Sequence, residues 1–318
     1  MKKSIYIFLV VALFSACEKI ELTFPPDNQI LAENALQTSE DLQKFLNSCY
    51  DVLANTYNGN CQNLSTLQAD DVSAPNSQLD YLEVYNRNTI FFNGTIGGYY
   101  KQPYIAIYRS NYLLENVDLI SDITDEDKNR MTAEARFIRV LCHFDLVRLF
   151  AHPYGYTVDN SHNGIIIKTS TDPDPKPRNT VGEVYDFMIS ELIEISNLLP
   201  ESNGNYANKY AAHALLAKIY FQTNQLDLAI NETNQVINSG IYALDNDSLF
   251  INRFREQLSQ EAIFTIVSTS NFDNRSGQFT GSYRSDINAN PTLRASKELF
   301  DLVNIFGEED KRTSWFEL

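Results

Sequence analysis

From Thr38 to Ile241 the chain repeats one pattern: a capping residue, apolar side chains at three- and four-residue spacing, then a breaker. Apolar residues spaced that way share one face of an α-helix, whereas a strand would scatter them over both faces. Thr38 with Asp41 resembles a capping box ahead of a stripe of Leu42, Phe45, Leu46, Cys49, Val52 and Leu53. A further helix is expected from about Pro103 to Leu119. Thr124 and Asp127 open the next, with Phe137, Val140, Leu141, Phe144 and Val147 on one face. Thr180 and Glu183 form another capping box before Val184, Phe187, Met188, Leu192, Ile195 and Leu199, and Pro200 stops that helix. The expected fold class is all-α.

Residues 207–240 read as one helix–turn–helix unit, with helices at Tyr210 to Phe221 and Leu226 to Asn238 and a capping glycine at Gly240. Leu216, Ala217, Tyr220 and Ala229 match the large and small positions by which tetratricopeptide helices interlock. One such unit cannot bury its own face, so the earlier helices must stack on it. Gly59 to Gly98 breaks the pattern: it is aromatic-rich and interrupted by Pro75 and Gly94, and reads as irregular. Beyond Tyr242, Ala262 to Thr269 alternates loosely like a strand, Asn271 to Asn290 is a polar loop, and a last helix covers about Ser296 to Phe306.

The N-terminus carries an address. Lys2 and Lys3 precede an apolar run from Ile5 to Phe14, too short to span a bilayer but of signal-peptide length. Phe14-Ser15-Ala16 then leads into Cys17, as in a bacterial lipobox with Phe in place of the common Leu. The expected organisation is a signal peptide at 1–16, a tether at 17–37 anchored by lipid on Cys17, and a helical domain at 38–318. Several acyl chains on one cysteine hold a protein firmly at a membrane.

Composition narrows the function. The chain is 43% hydrophobic, enough for a large core, and its formal charge of -16 repels nucleic acid and anionic lipid head groups. Beyond Cys17 only Cys49, Cys61 and Cys142 remain. Cys49 and Cys61 are able to bridge in an oxidising compartment, and Cys142 reads as a buried small hydrophobe. No two of these have metal-ligand spacing and the four His are scattered, so neither metal nor cofactor is expected. No G-x-S-x-G, H-E-x-x-H or phosphate loop marks an enzyme.

Five passages in register resemble the SusD/RagB outer-membrane lipoproteins. They are Arg109-Ser110-Asn111-Tyr112-Leu113-Leu114-Glu115-Asn116, Ala133 to Arg139 continuing through His143 to Phe150, Arg178-Asn179-Thr180-Val181 with Val184-Tyr185, Ala211 to Tyr220, and Tyr242-Ala243-Leu244. The resemblance covers about residues 17–306. It implies an all-α fold of tetratricopeptide-like pairs with an irregular ligand-binding part. It also implies a surface-exposed lipoprotein that captures a glycan, or sometimes a peptide, and hands it to a SusC-like TonB-dependent transporter. Family members usually run well past Phe306, so the later portion of the site is expected to be short here. The alternative is a tetratricopeptide-type scaffold, or a truncated family member, that holds a protein partner and no nutrient.

Sugars are held by aromatic rings on their C–H faces and by carboxylates, amides and arginines on their hydroxyls. Asp70 to Tyr100 holds that inventory, Phe91 and Phe92 included. The candidates are Asp70, Asp71, Tyr81, Tyr85, Arg87, Asn88 and Asn93, faced by Tyr283 and Arg284 from the polar loop. Tyr81 and Tyr85 lie four apart, which also describes a core stripe, and Asp70-Asp71 equally suits a helix cap. Adjacent carboxylates do not span the roughly 5 to 9 Å that a glycosidase pair requires. Arg136, Arg139 and Arg148 are expected to pair with carboxylates between helices rather than with ligand.

Overall fold

The computed structural model describes residues 36–252, 259–267, 281–283, 291–305, 307 and 310–315. Cys17, with the signal and tether segments up to residue 35, lies outside them, as does Arg284. The architecture is all-α and tetratricopeptide-like. Helix α1 spans Ser39–Thr56, α2 Asn60–Gln68, α3 Leu79–Tyr85, α4 Gly94–Asn116 and α5 Asp125–Phe150. They are followed by α6 Val181–Ile195, α7 Lys209–Gln222, α8 Leu226–Ile237, α9 Asp247–Asn252 and α10 Lys297–Asn304. No helix among the described residues is long and apolar enough to cross a membrane.

The expected caps are in place. Asp41 N–H donates to Thr38 Oγ1 at 3.2 Å while the Asp41 carboxylate accepts Thr38 N–H at 3.2 Å. The same reciprocal pair joins Thr180 and Glu183. Asn208 caps α7 by accepting Ala211 N–H at 2.8 Å. Leu216, Ala217, Tyr220 and Ala229 are all buried where α7 packs against α8.

Helix α5 is the centre, packed by α1, α4, α6 and α7. Fourteen of its 26 residues are buried, so it is enclosed on several sides rather than along one stripe. Buried with its apolar residues are Glu134, Arg139, His143 and Asp145. Each is tied to a neighbouring element, because a buried charge without a partner is strongly unfavourable. Glu134 accepts from the Tyr50 hydroxyl of α1 at 2.6 Å. Asp145 accepts from Tyr57 just beyond α1. Arg139 donates to Asn111 of α4 at 2.8 Å and also pairs with Glu191 of α6. Arg136 reaches the same carboxylate at 2.8 Å. Burial pushes the Glu191 carboxyl up, but the two guanidiniums overcome it and hold the group below its ordinary range. Arg148 differs from expectation: it pairs at 3.5 Å with Asp145 of its own helix.

Three further expectations are corrected, and the cysteine pairing left open by the sequence is decided. The stretch Gly59 to Gly98 holds α2, α3 and the start of α4, which begins at Gly94 because Asn93 Oδ1 accepts Ile96 N–H at 2.9 Å. Pro103 sits inside α4 rather than at its head. Residues 262–267 form no strand, and 268–269 lie outside the described residues; the strands among the described residues are β1 Val72–Ser73 and β2 Arg294–Ala295, antiparallel with Val72 opposite Ala295. Cys49 and Cys61 do not pair: both are free thiols, as is Cys142, which is buried as read. Burial pushes the Cys49 thiol up to about 12, leaving it inert.

His143 carries a testable consequence. Its Nδ1 lies 2.7 Å from the Arg139 carbonyl, which only accepts, and its Nε2 accepts Lys168 N–H at 3.3 Å. The ring is therefore neutral, with its proton on Nδ1. Burial pushes it from an ordinary 6.5 down to about 4. Between those values the unfolded chain holds a proton that the folded chain lacks. Stability present above pH 6.5 is therefore lost as pH falls toward about 4. Thermal melts across that window should show a shallower decline for His143→Gln than for the parent protein.

Candidate functional site

The segment expected to be irregular folds around its own small core. Leu64, Leu67, Val72, Tyr81, Val84, Tyr99 and Leu293 are buried together, with Tyr85, Phe150 and Tyr283 packed at the edge. The β1–β2 pair brings residues from late in the chain to this core, and Ser296 N–H donates to the Asp71 carbonyl at 2.8 Å. The end of α5 joins through Phe150, which stacks on Tyr99 and meets Tyr100 edge-on.

Helices α2 and α3 end in the same way. After α2, Asp70 N–H returns to Leu67 O and Asp71 N–H to Thr66 O; after α3, Arg87 N–H returns to Val84 O and Asn88 N–H to Glu83 O. This double return is the Schellman cap, whose first residue past the cap must be left-handed. Asp70 and Arg87 occupy that position at φ +62° and +55°, where glycine is the usual choice. Their side chains meet at 2.7 Å, and Arg87 also donates to the Tyr85 carbonyl at 2.8 Å and the Gln68 carbonyl at 3.1 Å. Two helix ends are thus clamped side by side, with an exposed ion pair at the surface.

The candidates separate on this frame. Asp70, Arg87 and Asn88 are exposed, and Asp71, Tyr85 and Tyr283 are half-buried. Tyr283 is held by a 2.9 Å bond between its hydroxyl and Thr66 Oγ1. Tyr81 is a correction: it is 7% exposed in the core, and its hydroxyl accepts Asn63 Nδ2 at 3.0 Å, so it has no ring face for a sugar. Asn93 is another. It is buried, its Oδ1 caps α4, and its Nδ2 donates to Asp80 O and to Glu83, each at 2.9 Å. Burial takes both residues away from a ligand. Next to Asn93 the chain instead exposes Phe91 (95%) and Phe92 (84%), with ring centroids 5.2 Å apart and planes at 86°. Exposed adjacent aromatics, in one chain segment with the exposed Arg87 and Asn88, are suited to stacking and hydroxyl recognition. Sequence reasoning named Phe91 and Phe92 but did not single them out, because cores and binding surfaces draw on the same residue types.

Residues 22–221 match the family described as SusD-like, starch-binding and associating with the outer membrane. This chain belongs to the SusD-like family. Members of that family are binding proteins rather than enzymes. The chain is similar to SusD-like protein P25 of Formosa agariphila, 24% identical over 82% of this chain and 50% of that protein. It is also similar to SusD-like protein P2 of the same organism, 28% identical over 75% of this chain and 47% of that one. It spans about half the length of the curated relatives it matches. A SusD superfamily protein of Bacteroides thetaiotaomicron superposes with a TM-score of 0.76 at 26% identity, over 84% of this chain and 62% of the other. A laminarin binding SusD-like protein shares the fold with a TM-score of 0.67 at 19% identity, over 88% of this chain and 66% of the other.

Because left-handed backbone costs a non-glycine residue about 1 kcal/mol and an exposed ion pair contributes little, Asp70→Gly should leave stability unchanged or raise it by up to about 1 kcal/mol, whereas Arg87→Gly, which also loses the bonds to the Tyr85 and Gln68 carbonyls, should gain less. Urea titration of each variant checks this. A marked loss of stability in Asp70→Gly would contradict the small contribution assigned to this exposed ion pair.

Proposed function

We propose that the protein is a cell-surface nutrient-binding lipoprotein that captures an oligosaccharide and delivers it to a SusC-like TonB-dependent transporter. The observation that carries this reading is the exposed Phe91–Phe92 pair, in the same α3–α4 connection as Arg87 and Asn88, on a helical body of the SusD-like family. Its mechanism is binding. Phe91, Phe92 and the edge of Tyr85 supply contact area, and Arg87, Asp70, Asp71 and Asn88 exchange water for sugar hydroxyls. Tyr283, held by Thr66 at the edge of the same small core, adds a further ring and hydroxyl. The substrate leaves unaltered, in keeping with a family of binding proteins rather than enzymes.

The tether at 17–37, with lipid on Cys17, holds the helical domain of 38–318 at the outer membrane, facing outward. The family's starch-binding description and the laminarin-binding neighbour both support a glucan as the first substrate class to test. A second reading has its own observation. Phe221, Leu226, Ile230 and Ile237 are exposed on α7 and α8, which favours a tetratricopeptide-type scaffold for a protein partner.

Calorimetric titration with maltohexaose and laminarihexaose separates the two. The wild-type protein is expected to bind at least one. Phe91→Ala with Phe92→Ala should weaken that binding by about tenfold or more, since two stacking contacts are lost, with the melting temperature unchanged. Equal affinity in the folded double variant contradicts this placement of the site. A wild-type protein that binds no saccharide favours the scaffold.

A further inference from the structure

A cleft of about 840 Å³ opens at the C-terminal end of α5. Phe150, His152, Ser161, His162, Asn163 and Arg178 line it. Its wall is the 152–163 loop, which is fixed from within. Gly155 N–H donates to Asn160 Oδ1 at 2.6 Å, Gly182 N–H to Asn160 O at 3.0 Å, and Tyr154 packs edge-on against Tyr185 of α6 at 5.2 Å. On this loop Tyr156 and His152 stack in parallel, centroids 4.1 Å apart at 7°, and Tyr156 stays 60% exposed. His162 meets the Tyr156 ring edge-on at 5.3 Å and is held by Thr157 at 2.9 Å and the His152 carbonyl at 3.2 Å. The result is a preorganised aromatic platform at the mouth of a cleft large enough for more than one sugar ring.

The polar lining has an unusual balance for a chain of formal charge -16. Among the described residues no carboxylate lines the cleft, and its one permanent charge is Arg178. That guanidinium donates through Nε to the Gly164 carbonyl and through Nη2 to Phe150 O at 2.8 Å, so it also fastens the loop to the end of α5. Its Nη1 has no partner among the described residues. Asp159, the nearest acid in the loop, accepts Ser161 N–H at 3.2 Å within its own turn. Neutral sugars call for acceptors as well as donors, and carboxylates usually supply the acceptors. A cationic, carboxylate-free cleft favours a ligand group that only accepts.

We propose that this cleft is a second carbohydrate subsite that takes the acidic substituent of an anionic saccharide, carboxylate or sulfate, on Arg178, while Tyr156 stacks on the ring. The proposal rests on the carbohydrate-binding reading above and adds charge to the substrate class. The test uses the full chain with three probes: trigalacturonate, its methyl ester, and a sulfated carrageenan oligosaccharide. Calorimetry gives affinity, and amide hydrogen exchange gives location. One charge-assisted contact should make at least one acidic probe bind about tenfold tighter than the ester, and about 0.5 M salt should weaken it. That probe should slow exchange in 149–163, and Tyr156→Ala should remove the effect without lowering the melting temperature. Trigalacturonate and the sulfated probe distinguish the two acidic groups. Equal affinity for acid and ester, or protection outside 149–163, overturns the proposal. If maltohexaose or laminarihexaose still binds through Phe91 and Phe92 in that case, the function stands and this subsite alone fails. If no saccharide binds at all, both fail.

Discussion

The Arg139–Glu191 pair and the polar ties around it set the arrangement of everything else. Apolar packing would let α5 slide or rotate against its neighbours at modest cost, because many registers bury similar area. A buried guanidinium admits one register, the one that brings Asn111 and Glu191 to it. Tyr50 on Glu134 and Tyr57 on Asp145 repeat the constraint on the side of α1. The loop after α5 is caught in the same network, since Asn111 Nδ2 donates to the carbonyls of Lys168 at 3.1 Å and Ser170 at 3.2 Å. Such ties add little net stability over an apolar core. Here they account for specificity of packing, because leaving any one of them out exposes a buried charge to the full desolvation penalty.

That fixed body has a useful end. Helices α4 and α5 carry Tyr99, Tyr100 and Phe150 to one place, and α2, α3 and the β1–β2 pair close over them. The aromatics inside this small core set the positions of those outside it. Tyr81 is anchored so that Tyr85, one turn on, reaches the edge, and Asn93 fixes the start of α4 so that Phe91 and Phe92 project from the chain before it. Recognition by stacking needs rings held still, since ordering them on binding would consume the gain.

Much of the scaffold was legible because its signals are local. Capping boxes at Thr38 and Thr180, the Thr124 cap, and the interlocking residues from Leu216 to Ala229 need only a few neighbouring residues to be read. The passages that resembled a family prove to hold the ties: Arg109 donates to Ser48 O, Asn111 and Arg139 meet, Arg178 and Asn179 fasten the loop, and Tyr242 accepts from Asn208. A polar tie requires particular residue types, whereas an apolar contact tolerates exchange, so ties stay recognisable at low identity. The short elements were not legible. Asp70 and Arg87 stand where a glycine would have announced the ends of α2 and α3, Pro103 hid the true start of α4, and two-residue strands have no period to detect. Tyr81 and Tyr85 share a helix face, and only the tertiary fold decides which of them is covered.

The role proposed for this body is capture and delivery at the outer membrane. The most direct test is isolation of the tagged, full-length lipoprotein from detergent-solubilised outer membranes, with co-purifying proteins identified and quantified by mass spectrometry. A TonB-dependent transporter recovered in near-equal amount is the result predicted. A folded, membrane-located protein that brings down no such transporter would contradict it.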